Sequence, residues 1–166
     1  MEDGVTYHFN DMAILKSSNN QISIKITNIS ANSKFMYKED YNNWISVLVE
    51  LDTSAEKIEY SEVDNVTLSV LELKNIIERL KALLSGEELF EYYSIERYFD
   101  LIIRKSKYEE DLFETEIWFN MGTYTKGKVY GFDKGYKFSI NKEILIEFYN
   151  AFYHEFITAS NIKIDL

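Results

Sequence analysis

Side chains suited to proton transfer or metal binding are scarce in this chain. It has two histidines, His8 and His154, and no cysteine. The lack of cysteine excludes a disulfide, a thiolate zinc site and a cysteine nucleophile, and the histidines form no HExxH or similar metal motif. Neither histidine is placed to support a Ser–His–acid triad. We interpret both as surface residues, His8 in a frayed terminus and His154 late in a helix.

Neighbouring carboxylates are the more numerous candidates. They occur as Glu87 with Glu88, as residues 109–111, and as Glu114 with Glu116. A glycosidase or a metal site needs two carboxylates that converge in a pocket, one of them with a raised pKa. A run such as YEED is more often a solvated turn. We therefore predict no catalytic, cofactor-binding or metal-binding residues, and we favour a binding protein over an enzyme.

Four of the six glycines lie between Gly122 and Gly135, among aromatic residues. Their spacing fits neither the G-x-G-x-x-G nor the P-loop pattern, and no helix start follows them directly. Glycines at this density are typical of hairpin turns and bulges. We interpret the segment as structural, without a bound cofactor.

The acidic excess is uneven. The chain has 28 acidic and 18 basic residues, a net charge of −10, and the acids concentrate in residues 39–64 and 87–116. Phosphate binding needs Lys and Arg, and the one basic cluster, residues 104–107, is small, so we predict neither a nucleic-acid nor a membrane partner. A basic protein could be attracted electrostatically. The alternative is that the acidity only maintains solubility.

The length of 166 residues and the 46 % hydrophobic fraction predict a single α+β domain over residues 1–166, frayed over 1–10 and 160–166. The first residues lack the basic and apolar regions of a secretory signal. No apolar run approaches the roughly 20 residues that span a bilayer. We predict a cytoplasmic protein.

Residues 69–86 are predicted to form an amphipathic helix. Ser69 and Glu72 have the spacing of a capping box, and Leu68 and Leu73 that of a hydrophobic staple. Gly86 stands where a left-handed residue would end the helix. Between these ends, apolar residues recur at spacings of three and four and predict one buried stripe.

Alternation of apolar and polar residues predicts strands on either side of this helix, and Asn141 is a predicted N-cap for a second helix over about residues 142–159. We therefore predict an α+β fold in which an antiparallel twisted β-sheet of about six to eight strands packs against two amphipathic helices. The strands are predicted within residues 12–16, 21–30, 42–52, 57–68, 95–104, 112–121 and 136–140.

The stretch Asp40–Trp44, DYNNW, opens a predicted central strand. Asp and Asn here are typical of an Asx turn, and Trp44 is interpreted as a core or edge residue, with an interface anchor as the alternative. Followed by Ile45, the stretch resembles the D-x-D-x-N-W-L opening of the WapI-type immunity proteins. The order of elements over about residues 20–157, strands, a Ser-capped helix, strands and a closing helix, is similar to that family. Asn42 and Ile45 depart from the motif, and the glycine-rich hairpin is longer and more aromatic.

The WapI-type proteins are small intracellular antidotes to the toxic C-terminal domains of wall-associated contact-dependent toxins. The resemblance implies stoichiometric binding of a cognate toxin without turnover, and the acidity favours a basic, nuclease-type toxin. We predict the partner-binding residues from the acidic clusters: Glu109, Glu110, Asp111, Glu114 and Glu116 first, then Glu56, Glu59 and Glu62. Two alternatives stay open: a small-molecule-binding or enzymatic domain with a tyrosine-rich pocket, and an oligomeric module with exposed aromatic residues.

Overall fold

The computed structural model describes residues 13–28, 44–60 and 67–160, which form nine strands and three helices. The first five strands make one antiparallel sheet in the order β1-β2-β3-β4, and β5 pairs with the start of β3. Ile24 on β2 lies opposite Leu51 on β3, and both are buried. The bounds are β1 Ala13–Lys16, β2 Ile22–Asn28, β3 Trp44–Thr53, β4 Lys57–Tyr60 and β5 Thr67–Ser69.

The second sheet follows α1 and has the order β6-β7-β8-β9, again antiparallel throughout. Each strand in it pairs with its neighbour along the chain. The bounds are α1 Val70–Leu84, β6 Leu89–Tyr93, β7 Phe99–Lys105, β8 Leu112–Asn120, α2 Met121–Tyr124, β9 Asp133–Asn141 and α3 Lys142–Ser160.

The capping box of α1 is confirmed. The Ser69 hydroxyl accepts from the Glu72 N–H at 3.1 Å, and the Glu72 carboxylate accepts from the Ser69 N–H at 2.8 Å. Gly86 has a φ of 121°, a conformation that glycine adopts without a Cβ penalty. The apolar stripe is buried as predicted, at Leu73, Ile76, Ile77, Leu80 and Leu83.

The closing helix, α3, is also confirmed. The Asn141 side chain accepts from the Ile144 N–H at 2.9 Å, which satisfies one of the unpaired donors of the first turn. Phe148, Phe152 and Phe156 are buried and stack along one face of the helix. This face packs on β1 and β2 and also meets α1 and β9, so one hydrophobic core lies beneath both sheets.

The α+β class, the antiparallel pairing and the two amphipathic helices agree with the sequence prediction, but the single sheet of six to eight strands does not. The described chain has two sheets of five and four strands, with β5 leading directly into α1. Alternation shows which residues face the core and not which strands pair, so it did not separate the sheets. The strand expected from residue 95 begins at Phe99, and the glycine-rich segment includes the short α2.

The two sheets meet at β9. The Ser139 carbonyl, on the edge of β9, accepts from the backbone N–H of Ser18 at 2.9 Å, in the turn between β1 and β2. In the turn between β3 and β4, the Glu56 carboxylate accepts from both Lys134 and Tyr136 of β9. The turns of the first sheet thus cover the free edge of the second, which would otherwise expose unpaired backbone groups.

Several predicted features lie outside the described residues: His8, the DYNN of residues 40–43, Glu62 and the tail 161–166. Trp44 is the first residue of β3.

Candidate functional site

One face of the second sheet is open to solvent. In β7, Phe99, Leu101 and Ile103 are buried, and the residues between them point the other way. Residues directly opposite each other in an antiparallel pair share a face, so the register assigns the neighbours of these outward residues. We call this surface the outer face; it consists of Leu89, Glu91, Tyr93, Asp100, Ile102, Arg104, Glu114, Glu116, Trp118, Asn120, Asp133, Gly135, Lys137 and Ser139.

The centre of the outer face is an ion-paired cluster around Glu116. Its Oε1 lies 3.1 Å from Arg104 and 3.1 Å from Lys137, and its Oε2 accepts from the Trp118 indole N–H at 3.2 Å. Partial burial opposes ionisation of Glu116, but the bonds from Lys137 and Trp118, with the charges of Lys137 and Arg104, outweigh it and lower its pKa. Glu116 is thus held as a carboxylate by residues of its own sheet.

Trp118 lies flat on the strand beside it because that strand carries a glycine. Gly135 is directly opposite Trp118, and a Cβ at Gly135 would overlap the indole ring. The Lys137 ammonium lies 5.9 Å from the ring centroid, within reach of a cation–π interaction. Gly135, Lys137 and Glu116 together fix the orientation of the indole.

A pocket of about 300 Å³ opens at the end of the outer face where β7 begins. Tyr93, which is 55 % exposed, and Trp118 form aromatic walls. Burial raises the pKa of Asp100, and the charge of Asp133 raises it further. Two carboxylates therefore share this pocket, whose lining includes Tyr93, Arg97, Asp100, Trp118, Asn120 and Asp133.

A second, smaller pocket of about 230 Å³ lies between α1 and β6, and Tyr93 borders both. Here Arg79 of α1 donates to the Glu91 backbone carbonyl at 2.5 Å, on the edge strand of the second sheet. Ile95, beside this pocket, is 62 % exposed. The exposed Tyr93 therefore lies between the two pockets and borders both of them.

The acidic residues predicted to bind a partner fall into separate regions. Glu109, Glu110 and Asp111 are exposed in the turn between β7 and β8, and Glu114 is exposed on the outer face. Glu116 lies on the same face but is ion-paired, as described above. These five residues occupy one end and the centre of the second sheet.

The second predicted group lies on the first sheet and its turn. Hydrogen bonds from Lys134 and then Tyr136 lower the pKa of Glu56, and its role is to join the two sheets. Lys57 bridges Glu59 at 2.8 Å and Glu50 at 3.0 Å on the outward side of the first sheet. Glu62 lies outside the described residues.

Sequence reasoning missed Tyr93, Asp100 and Asp133 as site residues. Alternation within each strand predicts that Asp100 faces away from the core and that Glu114, Glu116 and Trp118 share one face. The register that puts Asp100 beside Trp118, and Asp133 beside Asn120, could not be read from the strands separately. Tyr93 lines the larger pocket, whereas Tyr60 and Tyr92 are buried in the core.

His154 is exposed on α3. Within residues 13–28, 44–60 and 67–160, no three or more His, Cys, Asp or Glu residues form a group that could hold a metal ion. Over the same ranges, no helix has both the length and the apolar character required to cross a bilayer.

Fold and surface together define a small acidic α+β protein with a solvent-facing sheet. Its sequence matches the model of the immunity protein WapI-like family over residues 13–156. Because the match includes both sheets and most of α3, the chain belongs to the WapI-like immunity protein family. The resemblance inferred from residues 40–45 and from the order of elements is thereby confirmed. Comparison with curated proteins and with solved structures gave no match.

Proposed function

We propose that this protein is an immunity protein that binds a cognate toxin domain one-to-one in the cytoplasm and neutralises it without turnover. Membership in the WapI-like immunity family carries the proposal. The net charge of −10 supports a basic partner, because opposite charge steers association and rejects acidic competitors. A toxin that grips nucleic acid would present such a basic surface, which an acidic protein could cover.

The outer face and the turn between β7 and β8 are the proposed contact surface. Glu109, Glu110, Asp111 and Glu114 are exposed, and no ion pair joins them to another described residue. Their charges are therefore available to a partner. Glu116 contributes by orienting Trp118, and we assign Glu56 and Glu59 of the secondary group to the periphery.

The test is a binding measurement with the purified protein and the toxic C-terminal domains encoded beside its gene. We expect one-to-one binding that is tight at about 0.05 M NaCl and weaker at about 0.5 M, because screening shortens the range of charge attraction. Absence of binding to every neighbouring toxin domain would contradict the proposed function.

Charge reversal then tests the surface. E109K/E110K/D111K should weaken binding about tenfold or more at low salt and flatten its salt dependence, since it places like charges opposite the toxin. E78K/E143K/E147K, on the exposed sides of α1 and α3, makes the same change in net charge and is the matched control. If the two variants lose affinity equally, only overall charge matters. If neither changes affinity or its salt dependence, the turn lies outside the interface.

A further inference from the structure

The pocket at the end of the outer face where β7 begins is concave, has aromatic walls and carries an excess of negative charge. Its volume is about 300 Å³, enough for one large side chain. Tyr93 and Trp118 present ring surfaces, and the Trp118 ring is held in place from below by Gly135 and from the side by Glu116. Such preorganised aromatic surfaces are typical of interface anchors.

The charges in the pocket favour a cation. Asp100 and Asp133 line it together with a single basic residue, Arg97, so one negative charge remains uncompensated. Asp133 accepts from the Asn120 side chain at 3.0 Å, and neither carboxylate forms an ion pair with another residue in the described ranges. Arg97 is exposed, and its φ of 56° lies in the left-handed region.

We infer that this pocket receives a lysine or arginine side chain of the toxin, seated against Tyr93 and Trp118 and paired with Asp100 and Asp133. The inference rests on the proposed function and adds to it the place and the chemistry of the main contact. A guanidinium or ammonium group suits both features at once, because it pairs with carboxylates and stacks on aromatic faces. An acidic or purely apolar side chain would leave the excess negative charge of the pocket without a counterion.

The same arrangement explains why Tyr93 stays at the surface. Its hydroxyl donates to Glu91 on its own strand at 3.1 Å, which directs the ring toward solvent between the two pockets. A toxin side chain that enters the larger pocket would cover this ring and exclude water from the ion pairs. Electrostatic pairs gain strength when water is excluded.

The toxin-binding test uses Y93A and the double variant D100N/D133N. Y93A should weaken binding by roughly 30-fold, as removal of a buried interface aromatic does. D100N/D133N should weaken it and reduce its salt dependence, whereas D52N, an exposed acid on the first sheet, should stay within about twofold of wild type. Circular dichroism and thermal melting confirm that each variant is folded.

A second experiment needs no toxin. N-acetyl-L-argininamide is titrated into the ¹⁵N-labelled protein, and the indole N–H resonance of Trp118 is followed. We expect a saturable shift in the wild type at millimolar probe and none in D100N/D133N. Titration with N-acetyl-L-glutaminamide, which lacks the charge, is the control and should give no saturable shift.

The inference requires two results: weaker toxin binding by the pocket variants, and a saturable shift of Trp118 with the arginine probe. If the toxin binds the wild type, Y93A and D100N/D133N equally well, the pocket lies outside the interface and the inference fails while the proposed function stands. If no toxin binds but the arginine probe shifts Trp118 saturably, the proposed function fails and the cation preference of the pocket holds alone. If the probe gives no saturable shift, the inference is overturned.

Discussion

Both oxygens of the buried Glu72 carboxylate accept hydrogen bonds from other groups of the protein. Its Oε2 accepts from the backbone N–H and the hydroxyl of Ser69, at 2.8 and 2.9 Å, and its Oε1 accepts from the Tyr92 hydroxyl at 3.0 Å and the Ile95 N–H at 3.1 Å. One side chain therefore caps α1 and ties it to β6 and the turn that follows. Burial and this neighbouring carboxylate also raise the pKa of Tyr92, which keeps its hydroxyl protonated as a donor.

We predict that E72A lowers the free energy of unfolding by about 3 kcal/mol, because it removes a helix cap and leaves buried donors without acceptors. Urea denaturation followed by circular dichroism measures the change. Y92F removes one of the bonds and should cost about 1 kcal/mol. E78A, on the exposed side of the same helix, is the control, and an E72A loss no larger than that of E78A would refute the role of the carboxylate.

At the residue scale, the sequence predicted the capping box but not the bonds that Glu72 accepts from Tyr92 and Ile95. The spacing of Ser69 and Glu72 specified the capping box, since both partners belong to one helical turn. The bonds to Tyr92 and Ile95 depend on how α1 docks against the second sheet, and local spacing holds no information about that. The same distinction applies on the outer face. Alternation within β8 predicts that Glu114 and Glu116 share a face, whereas the proximity of Asp100 and Asp133 depends on the register between strands.

At the scale of elements, β9 is the strand that connects the two sheets. Its outward residues support the Trp118 ring, and its inward Lys134 and Tyr136 bind Glu56 from the first sheet. Hydrogen bonds from Lys134 and Tyr136 lower the pKa of Glu56 below its ordinary value of 4.5. A depressed pKa in the folded state stabilises the protein at pH above the unfolded value, and this contribution disappears as the pH falls through the folded value.

We therefore predict that E56Q lowers Tm at about pH 7 and reduces the fall in Tm between about pH 7 and pH 3.5. K134M should reduce that fall in the same way, because it removes the main cause of the pKa shift. Thermal melts followed by circular dichroism across this range make the comparison. E87Q, at an exposed glutamate away from the junction, should follow the wild-type curve, and an E56Q curve parallel to the wild type would contradict the prediction.

The elements themselves were largely predictable and their pairing was not. The helices α1 and α3 have caps and apolar stripes that are complete within each segment. In each strand, the alternation of apolar and polar residues specifies which side chains face the core and which face away from it. The division into two sheets follows from the junction at β9, where turns from one sheet meet the edge of the other, and such a junction leaves no pattern within any single strand.

At the scale of the whole molecule, the net charge of −10 is the dominant electrostatic property. Exposed ion pairs such as those of Lys57 contribute little each, so screening acts mainly on the repulsion among unpaired acids. We predict that raising NaCl from about 0.01 M to about 0.3 M increases Tm by about 3 °C, equivalent to about 1 kcal/mol.

Thermal melts in NaCl and in choline chloride at equal ionic strength test this prediction. Equal increases in both salts identify screening as the cause, and an increase confined to NaCl would indicate a specific sodium effect. A Tm that falls with salt would mean that attractive pairs outweigh the repulsion. The same screening should weaken toxin binding, so stability and affinity are expected to change in opposite directions with salt.

The docking of α3 on β1 has a consequence for how the chain folds. Strand pairs join segments close in sequence, which form quickly because little chain entropy is lost in closing short loops. The contact between Ser18 and Ser139 spans 121 residues, and α3 begins just after it. Closure of this long loop is therefore expected to be the slow step. During synthesis both sheets can form early, but the core face of β1 and β2 stays uncovered until α3 has left the ribosome.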